Sequence, residues 1–182
     1  MKALLPLFLL AALSACQKDE ISVRRVAKED APAMPGAAAA APARGVRWTA
    51  PSGWAQKAGA GMRAATLVPP PSAGKAEVTV VVLPGDVGGE LANVNRWRGQ
   101  IALPPLAAAD LAAARTAVVS PLGSVSVYDF TSGGTPRTRL VAGLIRVDGS
   151  TWFFKLMGDE KAVAADKPAF VRMLGGLARD AS

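Results

Sequence analysis

The chain of 182 residues contains no histidine and only one cysteine. It therefore lacks the side chain that most often moves protons near neutral pH and is the commonest metal ligand. A single cysteine excludes a disulfide within the chain and a thiolate zinc site. Aromatic residues make up 5% of the chain, so each of the four tryptophans is expected to matter for packing. We predict no metal site and no cofactor.

Positive charge is in moderate excess. The formal net charge is +7, and residues 45–182 contain 15 Lys and Arg residues against 10 Asp and Glu residues. An excess of this size favours solubility and a weak attraction to anionic surfaces. Because the basic residues are scattered along the chain, we predict no nucleic-acid binding.

The first fifteen residues have the pattern of a signal peptide. Lys2 makes the start positive, and residues 4–13 are uncharged and contain one proline, Pro6. This apolar run is too short to cross a bilayer core as a helix, which takes about 20 residues. It suits the apolar region of a signal peptide. Residues 13–16, Leu-Ser-Ala-Cys, resemble the bacterial lipobox.

The resemblance to the lipobox implies that the chain is cut before Cys16 and lipidated on its thiol. More than one acyl chain would then anchor the protein stably to membrane lipid, the first expected partner. The alternative is an ordinary secretory signal with a chance cysteine. Gln17 follows Cys16 in place of aspartate. By the sorting rule of enteric bacteria, this implies a cell-envelope location, at the outer membrane and facing the periplasm.

Residues 16–44 are predicted to form a flexible tether. Charges of both signs alternate first, and an Ala/Pro-rich stretch follows with no apolar periodicity. Such a segment has nothing to bury, so the entropy cost of ordering it is not recovered. A flexible chain of this length spans roughly 30 Å. The remaining residues, 45–182, are predicted to form a single α/β domain.

Strands dominate the predicted domain. We expect them at residues 63–68, 76–83, 117–119 and 124–130, and a turn at residues 51–53 between two tryptophans. The clearest element is a hairpin over residues 140–157 that turns at Asp148-Gly149, a pair typical of a two-residue type I′ loop. The turn sets the cross-strand partners: Val147 with Ser150, Ile145 with Trp152, and Gly143 with Phe154. Gly143 is expected to make room for the Phe154 ring.

Helices are predicted to cover both faces of this hairpin, because both are largely apolar. One helix is expected to begin with Asp166 as its N-cap and Pro168 in its first turn, and to run to about residue 177. A second is expected at residues 90–101 and a short third at residues 107–115. The predicted fold class is α+β, an antiparallel β-sheet flanked by helices.

The run from Gly88 to Gln100 resembles a signature of a family of bacterial lipoproteins, and its polar part is Asn93-Val94-Asn95-Arg96-Trp97-Arg98-Gly99-Gln100. The resemblance covers most of residues 46–182, including Met62-Arg63-Ala64, Leu83-Pro84-Gly85-Asp86 and Leu103-Pro104-Pro105. That family carries no established activity, so the resemblance implies a fold and a location only. The strand order and the ending from Trp152 to Phe170 look like PsbP-like domains. Those are α/β/α sandwiches that serve mainly as non-catalytic assembly or binding modules.

The same run provides the candidate binding residues: Asn93, Asn95, Arg96, Trp97 and Gln100. On a helix, Asn93, Arg96 or Trp97, and Gln100 lie one turn apart and share a face. Asn95, Arg96 and Gln100 could hold a carboxylate, a sugar or a peptide backbone, and free N–H groups after Gly88-Gly89 would add a modest anion site. In the alternative interpretation, the Asn and Arg side chains cap neighbouring loops while Trp97 packs in the core.

Three functions compete on this sequence. The first is a non-catalytic binding or assembly module with an envelope protein partner. The second is a small-ligand or anion-binding protein that uses residues 93–100. The third is an unfamiliar hydrolase, which would need carboxylates such as Asp86 and Asp159-Glu160 to converge. No serine lies in a nucleophile motif, and Lys155 is interpreted as a solvated or snorkelling strand residue. We therefore expect no enzymatic activity, and the oligomeric state is left open.

Overall fold

The computed structural model describes residues 45–71 and 73–180, which form one antiparallel sheet of seven strands with helices on both faces. The strands are β1 (Ala55–Ala58), β2 (Arg63–Val68), β3 (Ala76–Pro84), β4 (Thr116–Ser120), β5 (Gly123–Thr131), β6 (Thr138–Val147) and β7 (Ser150–Asp159). The helices are α1 (Gly89–Gln100), α2 (Leu111–Ala114), which follows a 3-10 turn (Ala108–Asp110), and α3 (Glu160–Gly175). The predicted fold class is confirmed. The signal peptide, Cys16 and the tether lie outside the described residues.

The strand order in the sheet is β1-β2-β3-β7-β6-β5-β4. The predicted hairpin is β6 and β7, and its register is confirmed: Val147 pairs with Ser150, Ile145 with Trp152 and Gly143 with Phe154. Asp148 has φ 50° and Gly149 has φ 74°, as a type I′ turn requires at both central residues. The turn sequence therefore determines the register of the two central strands.

One face of the sheet, the α3 face, packs against α3 and the segment that precedes β1. Its core contains these residues of the hairpin and of α3: Val141, Ile145, Val147, Trp152, Phe154, Leu156, Val163, Phe170, Met173 and Leu174. A Cβ atom on Gly143 would lie 2.9 Å from Leu174 Cδ1 and 3.2 Å from Val125 Cγ1. Gly143 therefore makes room first for Leu174 of α3 and Val125 of β5, and the expectation that it makes room for the Phe154 ring stays a prediction.

The segment before β1 closes the α3 face next to the helix. Trp48 packs edge-on against Trp152 and Phe154, with ring centroids 6.3 and 5.9 Å apart. The predicted turn follows, because the Trp54 N–H donates to the Pro51 carbonyl at 3.1 Å. The tryptophans of this opening thus anchor it to the central hairpin.

The opposite face of the sheet, the α1 face, packs against α1. Its core contains Val94, Trp97, Ile101, Tyr128, Leu140, Ala142, Leu144 and Phe153. The expected helix over residues 90–101 is thus confirmed, and so is the requirement that both hairpin faces be covered. No helix within the described residues is long and apolar enough to span a membrane.

The predicted start of the last helix was wrong. The helix α3 begins at Glu160 with Asp159 as its N-cap residue, so Asp166 lies in mid-helix and Pro168 lies inside the helix. Proline there removes one backbone hydrogen bond. The first turn, however, buries apolar side chains, including that of Val163, which is fully buried against the sheet. The third predicted helix is reduced to the 3-10 turn and the four residues of α2.

Candidate functional site

Asn93 lies at the start of α1 and is buried. Its Nδ2 donates to the carbonyl oxygens of Val87 at 3.1 Å and Gly89 at 2.7 Å. Its Oδ1 is buried and has no hydrogen-bond partner among the described residues. Gly88 and Gly89 both adopt positive φ, 84° and 82°, so the chain turns sharply into the helix. The Asn93 amide therefore holds this turn in place.

Asn95 ties α1 to the loop that follows it. Its Nδ2 donates to the Leu106 carbonyl at 3.2 Å, and its Oδ1 accepts from the Leu106 N–H at 2.6 Å. Arg98 reinforces the same loop, because its Nε donates to the Pro104 carbonyl at 2.7 Å. Its guanidinium carbon also lies 4.9 Å from the centroid of the Phe130 ring. The Asn95 and Arg98 side chains thus cap a neighbouring loop, as the alternative interpretation of the sequence predicted.

Trp97 lies in the core of the α1 face. It is 5% exposed and packs against Tyr128 and Phe153, with ring centroids 6.3 and 5.9 Å away. Aromatic pairs in this geometry add to the free energy of burial. The tryptophan of the polar run therefore fixes α1 on the sheet.

Gln100 and Arg96 are the two candidate residues that lie at the surface. The Oε1 atom of Gln100 accepts a hydrogen bond from Lys155 Nζ at 2.7 Å. Burial lowers the pKa of the Lys155 ammonium, the nearby Arg63 charge lowers it further, and Glu77 opposes them. The structure thus separates the predicted set into inward-facing Asn93, Asn95 and Trp97 and exposed Arg96 and Gln100. Their role in binding stays a prediction.

The contact of Lys155 with Gln100 was not predicted, because Lys155 was interpreted as a solvated or snorkelling side chain. It lies 55 residues from Gln100 in the chain, so no local spacing connects the two. The one available signal was a lysine within an otherwise apolar strand, Trp-Phe-Phe-Lys-Leu-Met. A charged residue on a strand face that a helix partly covers is costly unless it is paired or hydrogen-bonded. Here its partner is the neutral amide oxygen of Gln100.

Glu90 places a carboxylate in the first turn of α1. Its Oε1 accepts from the Tyr128 hydroxyl at 2.7 Å, and its Oε2 lies 3.3 Å from Arg115 Nη1. Burial raises the pKa of Tyr128 well above its usual value, and the hydrogen bond to Glu90 adds to the effect. Negative charge at a helix start is stabilised by the helix dipole. It also opposes the anion site that Gly88-Gly89 was expected to form.

A second polar cluster lies on the α3 face of the sheet, where it joins α3 to two strands. The carboxylate of Asp129 accepts from Arg139 Nε at 2.8 Å, from Arg139 Nη2 at 2.5 Å and from Lys167 Nζ at 2.7 Å. Burial raises the pKa of Asp129, but the hydrogen bonds from the two cations outweigh it and bring the pKa below its usual value. This cluster connects β5, β6 and α3, so its geometry serves the fold.

The carboxylates considered for a hydrolase are engaged by neighbouring groups. Asp86 forms an ion pair with Arg146, and Glu160 with Arg137 at 3.4 Å. Asp159 Oδ2 accepts from the Lys75 backbone N–H at 2.8 Å. Within residues 45–71 and 73–180, no three His, Cys, Asp or Glu side chains are grouped so that they could hold a metal ion. The expectation that the protein is not an enzyme stays a prediction.

A shallow cleft of about 380 Å³ lies away from all these residues, between residues 49–52 and the last turns of α3. Its lining includes Arg172 and Met173 of α3. This volume is at the low end of the range for ligand sites. None of the candidate binding residues contributes to it.

No family model and no curated protein sequence matches this chain. Several solved structures are similar to it, three of them at 7–13% identity. The crystal structure of LpqN, involved in cell envelope biogenesis of Mycobacterium tuberculosis, shares 13% identity at a TM-score of 0.44, over 72% of this chain and 82% of that one. The solution structure of cyanobacterial PsbP (CyanoP) from Synechocystis sp. PCC 6803 shares 12% identity at a TM-score of 0.46, over 80% of this chain and 99% of that one.

The third is a crystal structure from Bacteroides thetaiotaomicron, with 7% identity and a TM-score of 0.45. The match covers 75% of this chain and 46% of that one. The likeness to cyanobacterial PsbP is a likeness of fold alone. Because fold does not determine function, we argue function from this chain's own residues.

Proposed function

We propose that this protein is a lipid-anchored module of the bacterial cell envelope that binds a partner without catalysing a reaction. The observation that carries the proposal is the distribution of charge over the described domain. The carboxylates that lie in ion pairs are those of Glu77, Asp86, Glu90, Asp129, Asp148 and Glu160. Most of the negative charge is therefore neutralised by neighbouring cations of the same domain.

The cations are in surplus. Lys57, Arg96 and Arg172 are exposed, and none of them takes part in the ion pairs found among the described residues. An unbalanced positive surface raises the local concentration of anionic partners and speeds their encounter. This distribution supports binding of an anionic partner.

The anchor part of the proposal rests on residues 1–44. Cys16 in the lipobox-like sequence would receive the acyl chains, and residues 17–44 would let the domain reach roughly 30 Å from the lipid. An anchored domain stays near the membrane, so weak contacts with a partner there are strengthened by high effective concentration. We propose that the membrane is the outer membrane and that the domain faces the periplasm.

Metabolic labelling with an alkyne-modified palmitate tests the anchor. We expect the native chain to carry the label and to sediment with outer-membrane fractions, whereas Cys16→Ser loses the label and the membrane association. Ser14→Ala is the matched control, because it keeps a small residue in the lipobox and should retain the label. An unlabelled Cys16, or an uncut chain in the cytosol, would contradict the proposal.

Site-specific crosslinking tests the binding role. A photoreactive residue at position 57, on the sheet, or at position 161, on α3, is introduced into the chain at its native expression level. We expect a discrete envelope partner crosslinked in intact membranes from position 57 and not from position 161. If no specific protein or glycan is recovered from either position, the binding role is wrong.

A further inference from the structure

Part of the α1 face has no covering element among the described residues. The core of that face takes in Val81 and Leu83 of β3 but, among the described residues, no residue of β1 or β2. We call the α1 face of β1, β2 and β3, together with Lys155 at its border, the open half-sheet. Its side chains alternate with those of the α3 face, where Leu67 and Val78 are fully buried.

A polar row crosses the open half-sheet. Lys57 pairs with Thr66, Thr66 with Thr79, and Thr79 with Lys155, on the adjacent strands β1, β2, β3 and β7. Cross-strand partners point to the same face of a sheet. Two threonine hydroxyls therefore lie between two lysines whose backbones are roughly 14 Å apart at the usual strand spacing. Lysine side chains are long enough to converge above the threonines.

The polar row has more hydrogen-bond donors than acceptors. The Thr66 Oγ1 atom accepts from Arg63 Nη1 at 3.1 Å, so its own hydrogen is free to be donated. The Lys155 ammonium donates to Gln100 at 2.7 Å and has two further N–H groups. The one carboxylate on the open half-sheet is that of Glu77, whose Oε1 lies 3.7 Å from Arg63 Nη1. A ligand that complements this surface must supply negative charge and acceptor oxygens.

We propose that the open half-sheet binds an oxyanion, a phosphate or carboxylate group, between the Lys155 ammonium and the hydroxyl groups of Thr66 and Thr79. Lys155 is half-buried beside a neutral partner, so a bound anion would provide the charge compensation that Gln100 does not. Burial and the Arg63 charge lower the pKa of Lys155 by more than Glu77 raises it, so a further negative charge beside Lys155 would be favourable. The inference goes beyond the proposed function, because it concerns a site that does not depend on anchoring.

The test uses the full chain with Cys16→Ser, so that acyl chains cannot carry it to lipid. Inorganic phosphate is titrated while NMR follows the Lys155 side chain and the Thr79 amide. We expect saturable shifts and a rise in the pKa of Lys155, because a nearby anion favours its charged form. Lys155→Met should weaken phosphate binding about tenfold, as expected for the loss of one charge-assisted hydrogen bond.

Two further variants separate binding from folding. Thr79→Val keeps the side-chain shape and suits a strand, so the domain should fold while phosphate binding weakens about threefold. Lys161→Met on α3 is the matched control, which removes an exposed cation on the other face and should leave binding unchanged. If Lys155→Met and Lys161→Met weaken phosphate binding equally, the binding depends on net charge alone. That result would overturn the proposal.

Vesicles distinguish the sources of the oxyanion. Sedimentation with phosphatidylglycerol vesicles, but not with phosphatidylcholine vesicles, that is lost in Lys155→Met would assign the anion to a lipid headgroup. Phosphate binding without vesicle binding would assign it to a soluble ligand. If neither probe depends on Lys155 and Thr79, the proposal is wrong. Phosphate binding in solution together with no crosslinked partner in membranes would support this site and refute the proposed function.

Discussion

Gly143→Ala is expected to destabilise the domain, although glycine is a poor strand residue. Alanine in place of glycine reduces the entropy of the unfolded chain and gains about 0.4–1 kcal/mol where the site has space. At Gly143 the new Cβ atom would lie 2.9 Å from Leu174 Cδ1 and 3.2 Å from Val125 Cγ1. Both neighbours are fully buried, so neither can move away into solvent.

Overpacking of this kind costs about 1–3 kcal/mol. The net effect of Gly143→Ala is therefore a loss of about 1 kcal/mol in the free energy of unfolding. Leu174→Ala alone should cost about 2–5 kcal/mol, because it leaves a cavity in the core. In the double variant the methyl group added at position 143 partly fills that cavity, so the double variant should be more stable than the sum of the single changes by about 1 kcal/mol.

Urea unfolding of the Cys16→Ser chain, followed by tryptophan fluorescence, measures these differences as shifts in the midpoint at constant slope. Gly99→Ala is the control. A Cβ atom there meets nothing within 4 Å, and a glycine replaced by alanine inside a helix should gain about 0.8–1 kcal/mol. If Gly143→Ala is as stable as the native chain, or if its effect and that of Leu174→Ala simply add, the account of how α3 packs on the sheet is wrong.

Three other substitutions should change the free energy of unfolding in the same assay. Asp129→Asn should cost about 2 kcal/mol at pH 7. Because the folded-state pKa of Asp129 is lowered, its stabilisation is present above about pH 3.9 and is lost as the pH falls through the folded-state pKa. The Asp129→Asn variant should therefore lose less stability in acid than the native chain loses. Parallel pH profiles of the two proteins would contradict this. Asn95→Ala should cost about 2 kcal/mol, because it leaves the Leu106 N–H and carbonyl groups without their partner; an unchanged midpoint would mean that water replaces the amide. Tyr128→Phe should cost about 1 kcal/mol, since it removes the hydroxyl donor to Glu90; a gain in stability would show that burial of this hydroxyl outweighs its hydrogen bond.

The central hairpin could be predicted in detail because its information is local. Asp148-Gly149 selects one turn type, and a two-residue turn determines every cross-strand partner that follows. The two apolar faces of this hairpin then required a cover on each side, which α1 and α3 provide. Local chemistry and simple counting were sufficient for these two strands of the sheet.

The start of α3 and the strand β1 could not be predicted, because tertiary packing decides both. Asp166 and Pro168 form a good start signal for a helix, but burial of Val163 moves the N-cap toward the amino terminus, to Asp159. The β1 residues, Ala55–Ala58, are exposed and show no alternation, so only their pairing with β2 reveals a strand.

The candidate site was predicted in part. The helix and the inward position of Trp97 follow from its periodicity. Which polar residues remain at the surface depends on the loop at Leu106, which engages Asn95. It also depends on β7, which brings Lys155 to Gln100. Contacts across 55 residues leave no trace in the spacing of a single chain.

The two ends of the described domain meet at the same place. Arg47 and Ala178 exchange two backbone hydrogen bonds, of 2.8 and 3.0 Å, and the Asp180 N–H donates to the Gly45 carbonyl at 3.4 Å. A short linker could therefore join the two ends, and the chain could be reopened in the exposed loop at Gly133-Gly134 without breaking a strand pair. Such a circular permutant would carry any attached anchor at the loop between β5 and β6, so engineering could choose which end of the strands is held toward a surface.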